Sequence, residues 1–138
     1  MAIIVKNHIC GLFILGACLL IVMSSCNSSD DLSGDYTFSG KGGGQDYIYH
    51  TMSGQNGKII PCEVIAYAYN DQFIIAAQEP RDDCFQNRQD AQKSGNAINF
   101  WIANHTKEEL IGPLSFEEYM KRRQGLQIPE ELTMDVKI

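Results

Sequence analysis

His50 and His105, Cys62 and Cys84, and the acidic pairs Asp82-Asp83, Glu117-Glu118 and Glu130-Glu131 are the side chains of this sequence whose types could carry chemistry. Nucleophilic catalysis needs a serine or cysteine beside a base. The serines fall near the N-terminal segment and in turns, and none sits in a Gly-x-Ser-x-Gly elbow. His50 lies in a β-rich run. His105 lies in the tight turn Asn104-His105-Thr106-Lys107, where a histidine reads as a solvent-facing turn residue. Cys62, Cys84, His50 and His105 could supply a Cys2His2 set, but their spacing matches no zinc module. Gly40-Lys41-Gly42-Gly43-Gly44 lacks the Lys-Ser/Thr pair opening a helix that a phosphate cradle needs, and reads as a flexible loop. The acidic pairs are too far apart for one acid/base dyad, and no spaced Asp/Asn loop surrounds Asp82-Asp83 to hold calcium. The sequence therefore predicts no catalytic residue, no metal and no cofactor.

The remaining candidates are aromatic. Tyr47, Tyr49, Tyr67, Tyr69 and Trp101 are many for a small chain. Exposed together, they would make a binding surface, with Tyr67, Tyr69 and Trp101 as its centre. Packed on sheet faces, they would be core.

Chemistry of another kind stands at the N-terminus. Ile9 to Met23 is an unbroken run of apolar and small residues behind Lys6. As a helix it would cover about 22 Å, short of the roughly 30 Å hydrocarbon core of a bilayer. Such a run suits a signal peptide, which is inserted only transiently. It ends in Met23-Ser24-Ser25-Cys26, which resembles the lipobox of bacterial lipoproteins. There, two small side chains admit the peptide to the processing peptidase, and the thiol accepts a diacylglyceryl group. Residues 1–25 are expected to be the signal peptide and Cys26 the lipidation site, making the lipid bilayer the first partner. One acyl chain holds a protein marginally, whereas two or three hold it firmly. The expected location is the cell envelope, at the outer membrane. The acidic stretch after Cys26 resembles the surface-export signal of lipoproteins in the Bacteroidetes, which leaves either face of that membrane open.

Charge points the same way. The whole chain has a net charge of −6, and removing Lys6 with the leader makes it more acidic. That surface argues against nucleic acid, whose phosphates need clustered Lys and Arg. Loss of the leader also simplifies the cysteines, leaving Cys62 and Cys84 as an even pair in an oxidising compartment. A bond between them would close a loop of about 22 residues, worth on the order of 3 kcal/mol; the competing reading is two separate buried thiols.

The elements that must position these groups follow from periodicity. Residues 26–34 carry the lipidated cysteine and a small, polar, acidic stretch that reads as a flexible tether. Residues 35–138 form one domain. Tyr36 and Phe38 alternate with polar neighbours, and Tyr47 to Thr51 is a second β-rich run. A hairpin is predicted with arms Ile59–Tyr69 and Gln72–Gln78 around an Asn70-Asp71 tip. On its first arm Val64, Ala66 and Ala68 share one face, and Ile65, Tyr67 and Tyr69 the other. Glu79 to Gly95 reads as a loop. Ile98 to Ala103 and Glu109 to Gly112 pair around the Asn104 turn. Pro113-Leu114-Ser115 then opens a helix, with Ser115 and Glu118 as a capping box, Leu114 and Tyr119 as a staple, and Gly125 as a left-handed stop. Thr133 to Ile138 reads as a last strand. The sum is an α+β fold: an antiparallel β-sheet of about five to seven strands in a meander, with one helix in the C-terminal half packed on it.

Several short stretches also resemble one family. Gly34-Asp35-Tyr36, the hairpin from Ile60-Pro61 to Ile74-Ile75, Ile98-Asn99-Phe100-Trp101-Ile102, Gly112-Pro113-Leu114, Phe116-Glu117-Glu118-Tyr119, Arg123 and Ile128-Pro129-Glu130 follow the pattern of small bacterial lipoproteins with the domain of unknown function 3997. The chain departs from that pattern in a longer, more polar stretch between Gln78 and Ile98. The resemblance implies a fold and a location but no reaction, so no catalytic residue is carried over. The expected function is a non-enzymatic binding or accessory module that meets an envelope protein or ligand; the alternative is an enzyme or inhibitor-type module acting on an envelope substrate.

Overall fold

The computed structural model describes residues 28–40, 45–51, 59–81 and 97–136. Among these residues, eight strands precede one helix, in the order β1 (Ser28–Asp31), β2 (Tyr36–Gly40), β3 (Tyr47–His50), β4 (Ile59–Ile60), β5 (Val64–Tyr69), β6 (Phe73–Gln78), β7 (Asn99–Asn104), β8 (Glu109–Leu114) and α1 (Phe116–Gly125). All neighbouring pairs are antiparallel.

The mostly antiparallel β architecture with one late helix agrees with the sequence. The single sheet does not. The strands divide into two four-stranded sheets, β1-β2-β3-β4 and β5-β6-β7-β8. The division falls at Pro61, inside the predicted first hairpin arm. Proline lacks the N–H that a ladder needs, so β4 ends at Ile60. The chain then crosses to the second sheet, where the Val64 amide donates to the Asp46 carbonyl at 2.8 Å. Beyond that crossing the hairpin stands as expected. The Asn70 side chain closes its tip, accepting from the amides of Gln72 at 2.9 Å and Phe73 at 2.8 Å.

Two apolar layers hold the domain together. One lies between the sheets and contains Leu32, Tyr36, Phe38, Ile48 and Ile60 from the first, with Val64, Tyr67, Ile74, Ala76, Trp101 and Ala103 from the second. The other lies between the second sheet and the C-terminal segment, where Phe73, Ile75, Ala77, Phe100 and Ile102 meet Tyr119, Ile128 and Leu132. β6 and β7, apolar on both faces, are therefore the covered central pair; β5 is an edge strand.

Four local expectations are corrected. The segment read as a tether folds from Ser28 on: β1 pairs with β2 through four registered residues, and Leu32 is 8% exposed in the inter-sheet layer. An edge strand needs only backbone partners, so polar composition does not forbid it. The faces of β5 are reassigned because the register shifts between Val64 and Ala66. A bulged residue breaks the alternation, and Val64 joins Tyr67 in the inter-sheet layer while Ala66 and Ala68 face the helix side. The helix stop falls two residues late. Gln127, not Gly125, takes the positive φ of 54°, with its amide on Gln124 O and the Ile128 amide on Arg123 O, the two bonds of a Schellman motif. No strand forms over 133–136. That segment is held instead by Arg123, which donates to the carbonyls of Pro129 (2.7 Å), Glu130 (3.3 Å) and Leu132 (2.6 Å). The N-terminus of α1 is as expected, with the full Ser115–Glu118 capping box. Those bonds favour the ionised carboxylate and hold the Glu118 pKa below its ordinary value.

Candidate functional site

The strand ends converge in two groups, and each group brings together side chains that are distant in sequence. At one end lie the β1–β2 turn, the end of β3, the β5–β6 tip and the β7–β8 turn. Tyr36, 3% exposed, stands between the two histidines there. Its ring is edge-on to His50 at 4.8 Å and to His105 at 5.6 Å. Thr51 donates to the Asp35 carbonyl from its amide (2.8 Å) and hydroxyl (2.9 Å), and the His105 amide donates to Gln72 O at 2.9 Å. Sequence reasoning took His105 for a solvent-facing turn residue. The structure instead half-buries its ring, because the Asn104 side chain curls the turn inward by accepting from Thr106 Oγ1 (2.8 Å) and the Lys107 amide (3.2 Å).

The chemistry available to this cluster follows from where the protons go. The Ser33 hydroxyl donates to the Asn70 carbonyl at 2.5 Å and lies 3.4 Å from His105 Nε2. With its own proton committed, that hydroxyl can only accept from the ring. A nucleophilic pair needs the opposite direction, with serine donating to histidine. The remaining ring nitrogen, Nδ1, is buried with no hydrogen-bond partner. Gly34 covers it: a Cβ there would lie 1.6 Å from Nδ1, and the residue has φ +67°. Burial lowers the His105 pKa, the nearby His50 lowers it further, and Asp71 acts weakly against both. Burial also raises the Tyr36 pKa, with Glu108 adding to the effect. Burial thus disfavours the charged forms of His105 and Tyr36, and the cluster is packed.

At the other end a different polar group is fully engaged. Gln78 is 0% exposed. Its Oε1 accepts from Asn99 Nδ2 and from Trp101 Nε1, both at 3.1 Å, and its Nε2 donates to the Cys62 carbonyl at 3.0 Å. Trp101 lies against Gly112, where a Cβ would be 2.4 Å from the ring and where φ is +147°. The register shift between Phe100 and Ile102 makes room for this contact.

Of the two readings of the aromatic residues, packing is the one that these positions match. Tyr67 and Trp101 are buried in the inter-sheet layer, and Tyr69 is half-buried against it. Tyr67 stacks on Phe38 at 4.8 Å and turns its hydroxyl to Asp30 at 3.4 Å. Burial and the adjacent Asp30 carboxylate both push its pKa up. Tyr47 and Tyr49 form a half-buried ring pair at 5.6 Å, on the opposite side of β3 from the buried Ile48. Cys26, Cys84, Asp82-Asp83 and residues 41–44 lie outside the described residues. No group of three or more His, Cys, Asp or Glu able to hold a metal ion occurs among the described residues. Two open grooves flank the helix, one beside Met120, Arg123 and Ile128, the other beside Leu114, Glu118 and Leu126, and neither contains a histidine.

Sequence reasoning missed Ser33, Gly34, Tyr36 and Gln78 as members of these clusters. Gly34 and Tyr36 carried a signal in the Gly34-Asp35-Tyr36 pattern. Gln78 carried a weaker one, as the single polar residue closing an apolar arm.

Neither a curated protein nor a solved structure matches the chain. A family model does match, that of the protein of unknown function DUF3997, over residues 34–137. Those limits run from the glycine that covers His105 through the sandwich, the helix and the segment pinned by Arg123, so the chain belongs to the DUF3997 family.

Proposed function

We propose that this chain is a lipid-anchored protein of the cell envelope, acylated on Cys26, that acts by binding rather than by catalysis. The observation that carries the reading is the way the chain is partitioned. An apolar run from Ile9 to Met23 ends at Ser24-Ser25-Cys26, and β1 opens at Ser28. No helix among the described residues is long and apolar enough to cross a membrane; the proposed attachment is the lipid on Cys26. The binding assignment draws support from the histidine cluster. Its serine proton is spent on a backbone carbonyl and its ring is closed over by Gly34, an arrangement suited to joining loops. An envelope protein is the partner class, the outer membrane the location, and a Cys62–Cys84 disulfide part of the folded domain.

Fatty-acid labelling tests the anchor: incorporation into the wild-type chain should be lost in Cys26→Ala, and undiminished labelling would end the claim. A crosslinked pull-down from the native envelope tests the binding role. One partner enriched reproducibly over a lipid-anchored control supports it, whereas turnover of an envelope substrate that is lost in His105→Gln would replace it with the enzymatic alternative.

A further inference from the structure

The position of β1 determines which end of the sandwich can meet a membrane. Only Asn27 separates Cys26 from Ser28. Two residue steps span at most about 7 Å even when fully extended. An acyl group on Cys26 therefore leaves the start of β1 at the level of the lipid headgroups, with no room for a free tether.

Among the described residues, the structure identifies what else lies at that end. Ser28 pairs with Gly40. Across the sheets, Val64 bonds to Asp46 and pairs with Gln78, Gln78 pairs with Asn99, and the next residue, Phe100, pairs with Leu114 at the close of β8. The first turn of α1 follows directly. Three large apolar side chains are exposed among the described residues: Ile65 (38%), Phe116 (48%) and Met120 (47%). Two of them belong to this end, and they stand on opposite flanks of the second sheet. Ile65 is turned outward by the bulge in β5, and Phe116 leans from the start of α1 on the Phe100 ring at 5.5 Å. Apolar and aromatic side chains gain free energy on entering the headgroup region. The opposite end, with Ser33, Asp35, Asp71, Gln72 and the His105 turn, presents none of the three.

We infer that the Ser28 end of the sandwich rests on the lipid surface, with Ile65 and Phe116 inserted among the headgroups and the His50–Tyr36–His105 end facing away. This rests on the acylation of Cys26. The surface fits a zwitterionic bilayer: Ile65 and Phe116 are apolar, and a chain of net charge −6, more acidic still without Lys6, is repelled by an anionic one. The four residues of β1 then lift the histidine end by about 13 Å, which makes that end the one offered to a partner in solution.

The test uses the acylated full chain in vesicles of phosphatidylethanolamine and phosphatidylcholine, with the photocrosslinker p-benzoylphenylalanine placed in turn at position 65, 116 or 71. Thermal melts verify that each variant is folded, and positions 65 and 116 serve as independent probes should one fail to fold. Light should yield phospholipid adducts at 65 and 116 and only background at 71. Inserting a Gly-Ser linker of about twelve residues before Ser28, with a mean span of ~19 Å, should reduce the adducts at 65 and 116 toward that background. Adducts at 71 equal to those at 116, or none at 65 and 116 in protein whose Cys26 is shown by mass to be acylated, would overturn the orientation while the anchor stands. Absence of the acyl mass on Cys26 would overturn the anchor and the orientation together.

Discussion

The two ends of the sandwich use the same device to different effect. At each, a glycine with positive φ lies flat against a nitrogen-bearing ring: Gly112 against Trp101, and Gly34 against His105. The indole N–H of Trp101 ends on Gln78, whose amide is engaged by Asn99 and the Cys62 carbonyl as well. The Nδ1 of His105 ends on nothing. A buried polar group with all partners in place adds rigidity. One without a partner costs free energy, here in a ring whose charge can change. The Gln78 end is therefore built to stay as it is, and the His105 end to depend on conditions.

The sharpest way to break this contrast is Gly112→Ala. The new Cβ would meet the Trp101 ring at 2.4 Å and the Phe100 carbonyl at 3.0 Å, and neither can retreat from the core. A loss of about 4 kcal/mol is expected in urea unfolding, combining overpacking with backbone strain. Gln78→Leu comes next, at about 3 kcal/mol, since it removes the acceptor of the Trp101 indole and the donor to Cys62 O. Indole fluorescence should shift at the same time; an unchanged stability would show that the network carries no net free energy.

Gly34→Ala should cost less, about 2 kcal/mol, because the half-buried His105 ring can swing outward from a clash at 1.6 Å. The double variant with His105→Ala separates clash from strain. Recovery of about 1 kcal/mol is the expected coupling, and strict additivity would mean that backbone strain alone is responsible.

The smallest effect sharpens the comparison most. The folded His105 pKa lies below its ordinary 6.5, so the unfolded chain takes up a proton first as pH falls. Stability from this residue is complete above the ordinary value and is lost as pH drops through the lower, folded one. Melting temperatures followed from about pH 8 to about pH 5 should decline, and the decline should flatten in His105→Gln. A slope unaffected by that substitution would place the acid sensitivity elsewhere.

How legible all this was depended on the range of the interactions involved. The capping box at Ser115 and Glu118 and the Asn70 turn are local, and a few adjacent residues specify them. Burial of Trp101 and Tyr67 was undecided from sequence, because a tyrosine on a strand has the same period whether its face meets water or another sheet. The second sheet was missed for a related reason. Pro61 lies inside the predicted arm Ile59–Tyr69, and that the chain crosses there depends on a bond from Val64 to Asp46, 18 positions earlier. The histidine cluster is assembled from three turns and the end of β3, so no window of sequence contains it. Gln127 in the left-handed position illustrates the limit from the other side. Glycine at 125 was the better local choice, and the packing of Ile128 into the core overrode it.

The bulges have a consequence beyond the faces they assign. A sheet of four strands has two open margins, and each is a template on which another chain can add a strand. In the second sheet both are interrupted, β5 by the extra residue at Ile65 and β8 by the irregularity around Gly112-Pro113. In the first, β1 carries the exposed carboxylates Asp30 and Asp31, and β4 is two residues long and closed by Pro61. Among the described residues no margin offers a long, flat, uncharged ladder. Edge-to-edge pairing between copies of the domain is thus disfavoured, and with it the seeding of amyloid-like aggregates.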